Sequence, residues 1–161
     1  MFGRSKQLNG GQFATSLFDQ DSFYPAFYLD LKNCNKELII ESPFITNQRM
    51  QELLPSLMKL RKRGVSIIVN TRDPSEHEYE YGLQAIDAIA ELQELGVTVL
   101  YTARHHRKLA IIDRQITWEG SLNILSYTNS CEIMRRMVAS SIAEELIGFI
   151  KLTTYTGGYY G

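Results

Sequence analysis

Between His106 and Asn123 the chain reads HRKLAIIDRQITWEGSLN, and six positions in it form a fixed pattern: His106, Lys108, Asp113, Gly120, Ser121 and Asn123. Imidazole changes charge near neutral pH, so His106 can act as a nucleophile or as a proton donor. Lys108 lies two residues on, hence on the same face of a strand, and supplies a fixed positive charge. Ser121 and Asn123 add neutral hydrogen-bond donors that hold oxygens without competing for the proton. A nucleophile ringed by a cation and amide donors suits a phosphoryl group better than a carbonyl. The pattern reads as a phosphodiesterase site.

The elements that must position these residues are visible around them. Lys108 to Ile112 (KLAII) is an apolar, β-branched run, and Gln115 to Trp118 (QITW) is a second short strand candidate. A two-residue turn at Asp113-Arg114 would join them as a hairpin. That turn pairs residue 112 with 115, sets 107 opposite 120, and sets His106 opposite Ser121. The return strand then delivers Gly120, Ser121 and Asn123 to the neighbourhood of His106 and Lys108. Gly120 lets the backbone turn there or approach a ligand closely.

The six residues resemble the HKD motif of the phospholipase D superfamily, and all six match. The resemblance extends to Glu132, within Asn129-Ser130-Cys131-Glu132. It is strong over residues 104–132 and only topological over residues 15–103. In that family the histidine attacks phosphorus to give a phosphohistidine, Lys and Asn hold phosphate oxygens, a Glu orients the histidine, and no metal is required. The resemblance therefore implies that His106 is the nucleophile or acid, that Lys108 and Asn123 bind phosphate, and that Glu132 orients a His106 ring nitrogen. Asp113 and Ser121 become supporting residues, and no cofactor is expected. Relatives with two motifs in one chain build one site from both, whereas this chain has one. Cleavage through a covalent intermediate needs a nucleophile and an acid for the leaving oxygen. The second histidine must then come from another copy, and a two-fold homodimer with its motifs face to face supplies it, as in the small single-motif endonucleases of the superfamily.

Composition bounds the rest. The 161 residues fit one domain, and 44% hydrophobic residues suffice for a core. A net charge of −1 gives no global signature of nucleic-acid binding, so a nuclease would rely on a local patch or on a helicase or other DNA-handling partner. Arg104, Arg107, Arg135 and Arg136 flank the motif and are candidates for substrate contact. Lys59, Arg61, Lys62 and Arg63 are better read as cations in the last turn of a helix, where the dipole and solvent favour them. Cys34 and Cys131 have no metal-ligand spacing and read as reduced cysteines. His105 beside His106 would point to the opposite strand face, so the two do not share an ion. His77, among Glu76, Glu78 and Glu80, reads as part of a solvated acidic face. Tyr24, Tyr28, Tyr79 and Tyr81 could stack on bases, but half-buried packing is the commoner role. The Glu41-Ser42-Pro43-Phe44 strand end resembles segments lining the groove in the family. The segment MFGRSKQLNGG lacks the apolar core of a signal peptide, and no run approaches transmembrane length, which leads to the expectation of a cytoplasmic protein without a membrane partner.

Along the chain, strands and helices alternate. A helix carries Phe23, Phe27 and Leu31 on one stripe. A strand at 36–44 ends at Pro43, and a helix at 48–63 closes at Gly64. A strand at 65–70 is followed by a polar loop, a helix from Leu83 to Leu95, and a strand at 97–101. After the hairpin come a strand at 132–139 and a helix at 141–152, with a frayed tail at 154–161. The order predicts an α/β sandwich with a mixed central sheet flanked by helices in a single domain over 1–161, and the motif resemblance implies that this sandwich is phospholipase D-like. Three functions compete: a metal-independent nuclease on DNA or RNA, a phospholipid-hydrolysing or phosphatidyl-transferring enzyme, and a non-catalytic dimerisation module of a DNA-processing complex. The small size leaves little room for an acyl-chain site, and the intact motif opposes the module.

Overall fold

The computed structural model describes residues 14–152. The segment MFGRSKQLNGG and the tail at 154–161 lie outside the described residues. Elements follow in the order β1 (Ala14–Asp19), α1 (Phe23–Asn33), β2 (Glu37–Glu41), α2 (Asn47–Lys62), β3 (Ser66–Thr71), α3 (Tyr79–Glu94), β4 (Thr98–Tyr101), β5 (Leu109–Ile112), β6 (Ile116–Gly120), β7 (Ile133–Val138) and α4 (Ser140–Ile150), with a 3-10 turn at Pro74–Glu76 between β3 and α3. The strands form one mixed sheet in the order β1-β7-β6-β5-β2-β3-β4. β2, β3 and β4 are parallel, and the remaining pairings are antiparallel. This is the expected α/β architecture.

Each central element follows from its side chains. β2 and β3 are short apolar runs because helices cover both faces of the sheet where they lie. One face carries the larger core, built from the buried stripes of α1 (Phe23, Phe27, Leu31), α2 (Met50, Leu53, Leu57, Leu60) and α3 (Ala85, Ala88, Ile89, Leu92). Trp118 of β6 is fully buried there against the rings of Phe18, Phe23 and Phe27. Its indole N–H donates to Asp30 at 2.8 Å, and Arg136 clamps the same carboxylate with two bonds of 2.7 and 2.8 Å. Alternate residues Ile39, Leu109 and Ile111 face the other side and meet Ala143 and Ile150 of α4. Gly64 and Gly96 end α2 and α3 with φ of +81° and +85°, a conformation costly for residues with a Cβ.

Four local expectations need correction. β1 was not foreseen, because ATSLFD shows no clean apolar alternation; it is an edge strand defined by its pairing with β7. α3 begins at Tyr79 rather than Leu83, and His77 precedes it half-buried. Its polar first turn folds back on the 3-10 turn, and Gly82 makes room: a Cβ there would lie 3.0 Å from the Pro74 carbonyl. The hairpin register is shifted by one, with Ile112 opposite Ile116 and Leu109 opposite Glu119. Asp113 and Arg114 both take positive φ (52° and 53°), and Gln115 joins the turn instead of pairing. His106 is therefore not opposite Ser121. Gly120, finally, serves strand packing: a Cβ there would lie 2.0 Å from the Ile133 carbonyl.

Asp113 lies at the end of β5 remote from His106. Its carboxylate accepts the backbone N–H groups of Asn35 (2.9 Å), Lys36 (2.7 Å) and Glu37 (3.0 Å), and the buried Cys34 thiol lies 3.5 Å away. Burial pushes its pKa up, but these donors outweigh burial and hold it below the usual carboxylate value. Asp113 thus ties the α1–β2 connection to the hairpin, a supporting role at the sheet end opposite His106. Replacing Asp113 by Ala is expected to cost about 2 kcal/mol in urea unfolding, the scale of losing charge-assisted bonds at a half-exposed site. Because the folded pKa is depressed, the wild-type advantage should be complete above the ordinary carboxylate pKa and should fade as pH falls through the folded value.

Candidate active site

The topology gathers the loops that matter at one sheet end. β2, β3 and β4 finish there, β6 finishes there, and β5 and β7 begin there, as the pairings Glu41↔Leu109 and Gly120↔Met134 require. Ligands of open sheets bind beyond the carboxyl ends of parallel strands, and three such ends are present. Residues 105–108 form the irregular approach to β5.

His106 is exposed while both its neighbours are anchored. His105 is buried; its Nδ1 accepts the Arg107 N–H at 3.2 Å, so Nε2 carries the proton and donates to the Asn70 carbonyl at 3.2 Å. Burial holds the His105 pKa below its ordinary value. The Arg107 side chain grips Glu41, which is 0% exposed, through Nε (2.6 Å) and Nη2 (2.7 Å). Asn70 Nδ2 donates to the same carboxylate at 2.8 Å, and Asn70 Oδ1 accepts from Thr102 at 3.0 Å. Arg72, immediately after β3, donates twice to the His105 carbonyl at 2.8 and 3.1 Å. A buried polar network thus fixes residues 105 and 107, and His106 is presented between them.

On the exposed side, Lys108 Nζ lies 3.0 Å from His106 Nδ1 and donates to the His106 carbonyl at 2.7 Å. An ammonium can only donate, so Nδ1 accepts and the ring proton sits on Nε2. Burial lowers the Lys108 pKa, the Glu132 charge opposes that shift, and Arg72 adds to it. Lys108, Arg72 and Glu132 therefore share one electrostatic neighbourhood. Glu132 does not reach His106; it accepts from the hydroxyls of Ser121 and Ser130, the latter at 2.6 Å. Ser121 Oγ also accepts the Ile133 N–H at 3.0 Å. Asn123 is half-buried in the same loop, and its buried Oδ1 has no hydrogen-bond partner among the described residues.

The expected site residues thus divide. His106, Lys108, Ser121, Asn123 and Glu132 come to one sheet end, and Asp113 does not. Arg107 and Arg136 are committed to Glu41 and Asp30 rather than held out for substrate. Arg104 is exposed at φ +53°, with its N–H on Glu76, and Arg135 is exposed with Nη1 2.9 Å from Thr15. Arg61 donates to the Leu95 and Val65 carbonyls and Arg63 to the Cys34 carbonyl, so both are structural cations that tie the end of α2 to the segments after α3 and α1. Arg72 was missed as a contributor, and Glu41 and His105, though named from the sequence as a groove-side strand end and a residue facing away from His106, were not given their anchoring roles. The legible signal for Arg72 was a cation directly beyond a parallel strand.

Residues 29–149 match the family model described as cardiolipin synthase, PLD-like domain, and the chain belongs to the PLD-like family, whose members act on phosphodiester bonds. Among solved structures, Nuc from Salmonella typhimurium, a phospholipase D family member, superposes with a TM-score of 0.75 at 13% identity, covering 91% of this chain and 99% of that one. NucT from Helicobacter pylori gives 0.74 at 16% identity, covering 91% and 100%. Phosphatidylserine synthase from Haemophilus influenzae gives 0.69 at 10% identity, covering 92% of this chain and 40% of that one. No curated protein matches the sequence.

Glu41 is the charge that the network cannot lose without consequence. Glu41→Ala leaves Arg107 and Asn70 without their acceptor and is expected to cost about 3 kcal/mol in urea unfolding, the lower part of the range for broken buried pairs because Arg107 is 33% exposed.

Proposed function

We propose that this protein is a metal-independent phosphodiesterase that cleaves nucleic acid through a phosphohistidine at His106, in a site completed by a second copy of the chain. The observation that carries the reading is the His106–Lys108 pair, 3.0 Å apart and exposed between two anchored neighbours. A phosphate oxygen arriving at Lys108 competes with Nδ1 for the ammonium. Once Lys108 turns to the phosphate, the ring proton can move to Nδ1, and Nε2 gains the lone pair needed for attack. Asn123 supplies a second hold on phosphate oxygens, and Ser121 keeps Glu132 beside the cluster as a negative charge facing Lys108. Attack breaks the bond from phosphorus to the leaving oxygen, which takes a proton from the acid; water then hydrolyses the phosphohistidine.

The acid is assigned to His106 of a second copy. Beside Lys108, on the α4 side of the sheet, Leu17, Ile133, Leu146 and Phe149 line a hollow of about 520 Å³ with Arg107 and Arg135. Phe149 is 74% exposed, and Leu17 and Ile133 are also open to solvent. Apolar surface of this kind beside a half-site fits an isologous partner. The near-zero net charge weakens non-specific DNA affinity, so the isolated protein is expected to cleave weakly and a helicase or other DNA-handling partner to raise the rate by delivering substrate.

His106→Ala should fold normally and lose cleavage of DNA and RNA, and wild type should retain cleavage in excess EDTA. Turnover by the His106→Ala protein would remove His106 as nucleophile, and turnover of phospholipid in place of nucleic acid would establish the lipid reading. Phe149→Glu should shift sedimentation from dimer to monomer and abolish activity together; an active monomer would disprove the composite site.

A further inference from the structure

A groove of about 450 Å³ adjoins Asn123 and is lined by Phe44, Arg72, His77 and Tyr81. Its aromatic wall is already assembled. The Phe44 ring lies 4.9 Å from His77 and 6.1 Å from Tyr81, and the Arg72 guanidinium sits 5.2 Å over its face. This departs from the reading of His77 as part of a solvated acidic face. Tyr24 and Tyr28 do pack half-buried, with their hydroxyls on the Ile124 and Glu52 carbonyls. Tyr81 differs, being 46% exposed at the groove.

Two features say what kind of group this wall takes. Asn123, a proposed phosphate ligand, lines the groove together with Arg72, so an occupant of the groove adjoins a phosphate held at Asn123. Glu76 and Glu78 also line the groove. Their carboxylates repel a phosphate path or an anionic headgroup but accept hydrogen bonds from amino groups. A flat, uncharged ring bearing N–H donors satisfies both the aromatic wall and the acidic rim, and the volume admits a nucleoside.

We infer that the groove is a base-stacking subsite that receives an unpaired nucleobase from the nucleotide flanking the scissile phosphate. The inference rests on the nuclease reading and narrows it to single-stranded or locally unpaired nucleic acid, since a base in a duplex cannot present its face to Phe44 and Tyr81.

The test compares wild type, Tyr81→Ala and Tyr81→Phe on a single-stranded oligonucleotide, on the same strand with a central run of abasic residues around the cut, and on the matching duplex. Tyr81→Ala should lower kcat/KM about tenfold on the base-bearing strand and have no effect on the abasic one, while Tyr81→Phe keeps the wild-type rate. Wild type should cleave the duplex at least about tenfold more slowly than the single strand. Equal loss for Tyr81→Ala on base-bearing and abasic strands, no loss on either, or equal wild-type rates on duplex and single strand would each overturn the subsite. If wild type cleaves none of these substrates, the nuclease reading itself fails. Cleavage without a Tyr81 effect leaves that reading standing and removes only the subsite.

Discussion

A carboxylate with no exposed surface, Glu41, sits at the end of β2, where the parallel strands meet the antiparallel ones, and the site is organised around satisfying it. Removing such a charge from water costs several kcal/mol, which only close, well-directed donors offset. Two come from the Arg107 guanidinium and one from the Asn70 amide. These donors belong to β3 and to the approach to β5, so satisfying the charge also fixes how the two segments meet. His105 and Arg72 extend the same arrangement toward the surface. Among the described residues, the chain from residue 105 to residue 108 has only two backbone–backbone bonds, from the His105 N–H to Thr102 and from the Gly120 N–H to Lys108, and relies on these side-chain bonds for the rest.

The sheet separates folding from chemistry by direction along the strands. At the end remote from His106, Asp113 gathers three backbone N–H groups and completes the hairpin's attachment to the α1–β2 connection. At the other, the ends of six strands bring together His106, Lys108, Ser121, Asn123 and Glu132. The two faces also differ. Among the described residues, three helices seal the face that holds Trp118, while α4 covers part of the other and leaves Leu17, Ile133 and Phe149 open beside Lys108.

Much of this was legible from residue types. The stripes of α1 and α2, the apolar runs of β2 and β3, and the glycines after α2 and α3 express burial and helix termination directly. The motif residues declared themselves through side chains whose chemistry is scarce in a core. What stayed hidden depends on tertiary context. β1 has no apolar alternation and exists through its bonds to β7. The one-residue register shift follows from Gln115 standing in the turn, which puts Ile112 opposite Ile116 and which Asp-Arg-Gln does not advertise. Asp113 and Arg107 sit within or beside the motif and resemble functional groups in the linear sequence. Their partners, the N–H groups of residues 35–37 and Glu41, are more than 60 positions away, and only the fold shows that those charges are already committed.

His106 stands alone between two neighbours that do the structural work. Its own side chain meets Lys108 and solvent, and it contributes nothing to the packed interior. The residue to which the proposed mechanism gives bond making is therefore mechanically held but thermodynamically dispensable. On that reading, evolution can exchange the group at position 106, and with it the reaction, without first re-solving the fold. A drift at position 105 or 107 instead threatens the scaffold before it reaches the chemistry.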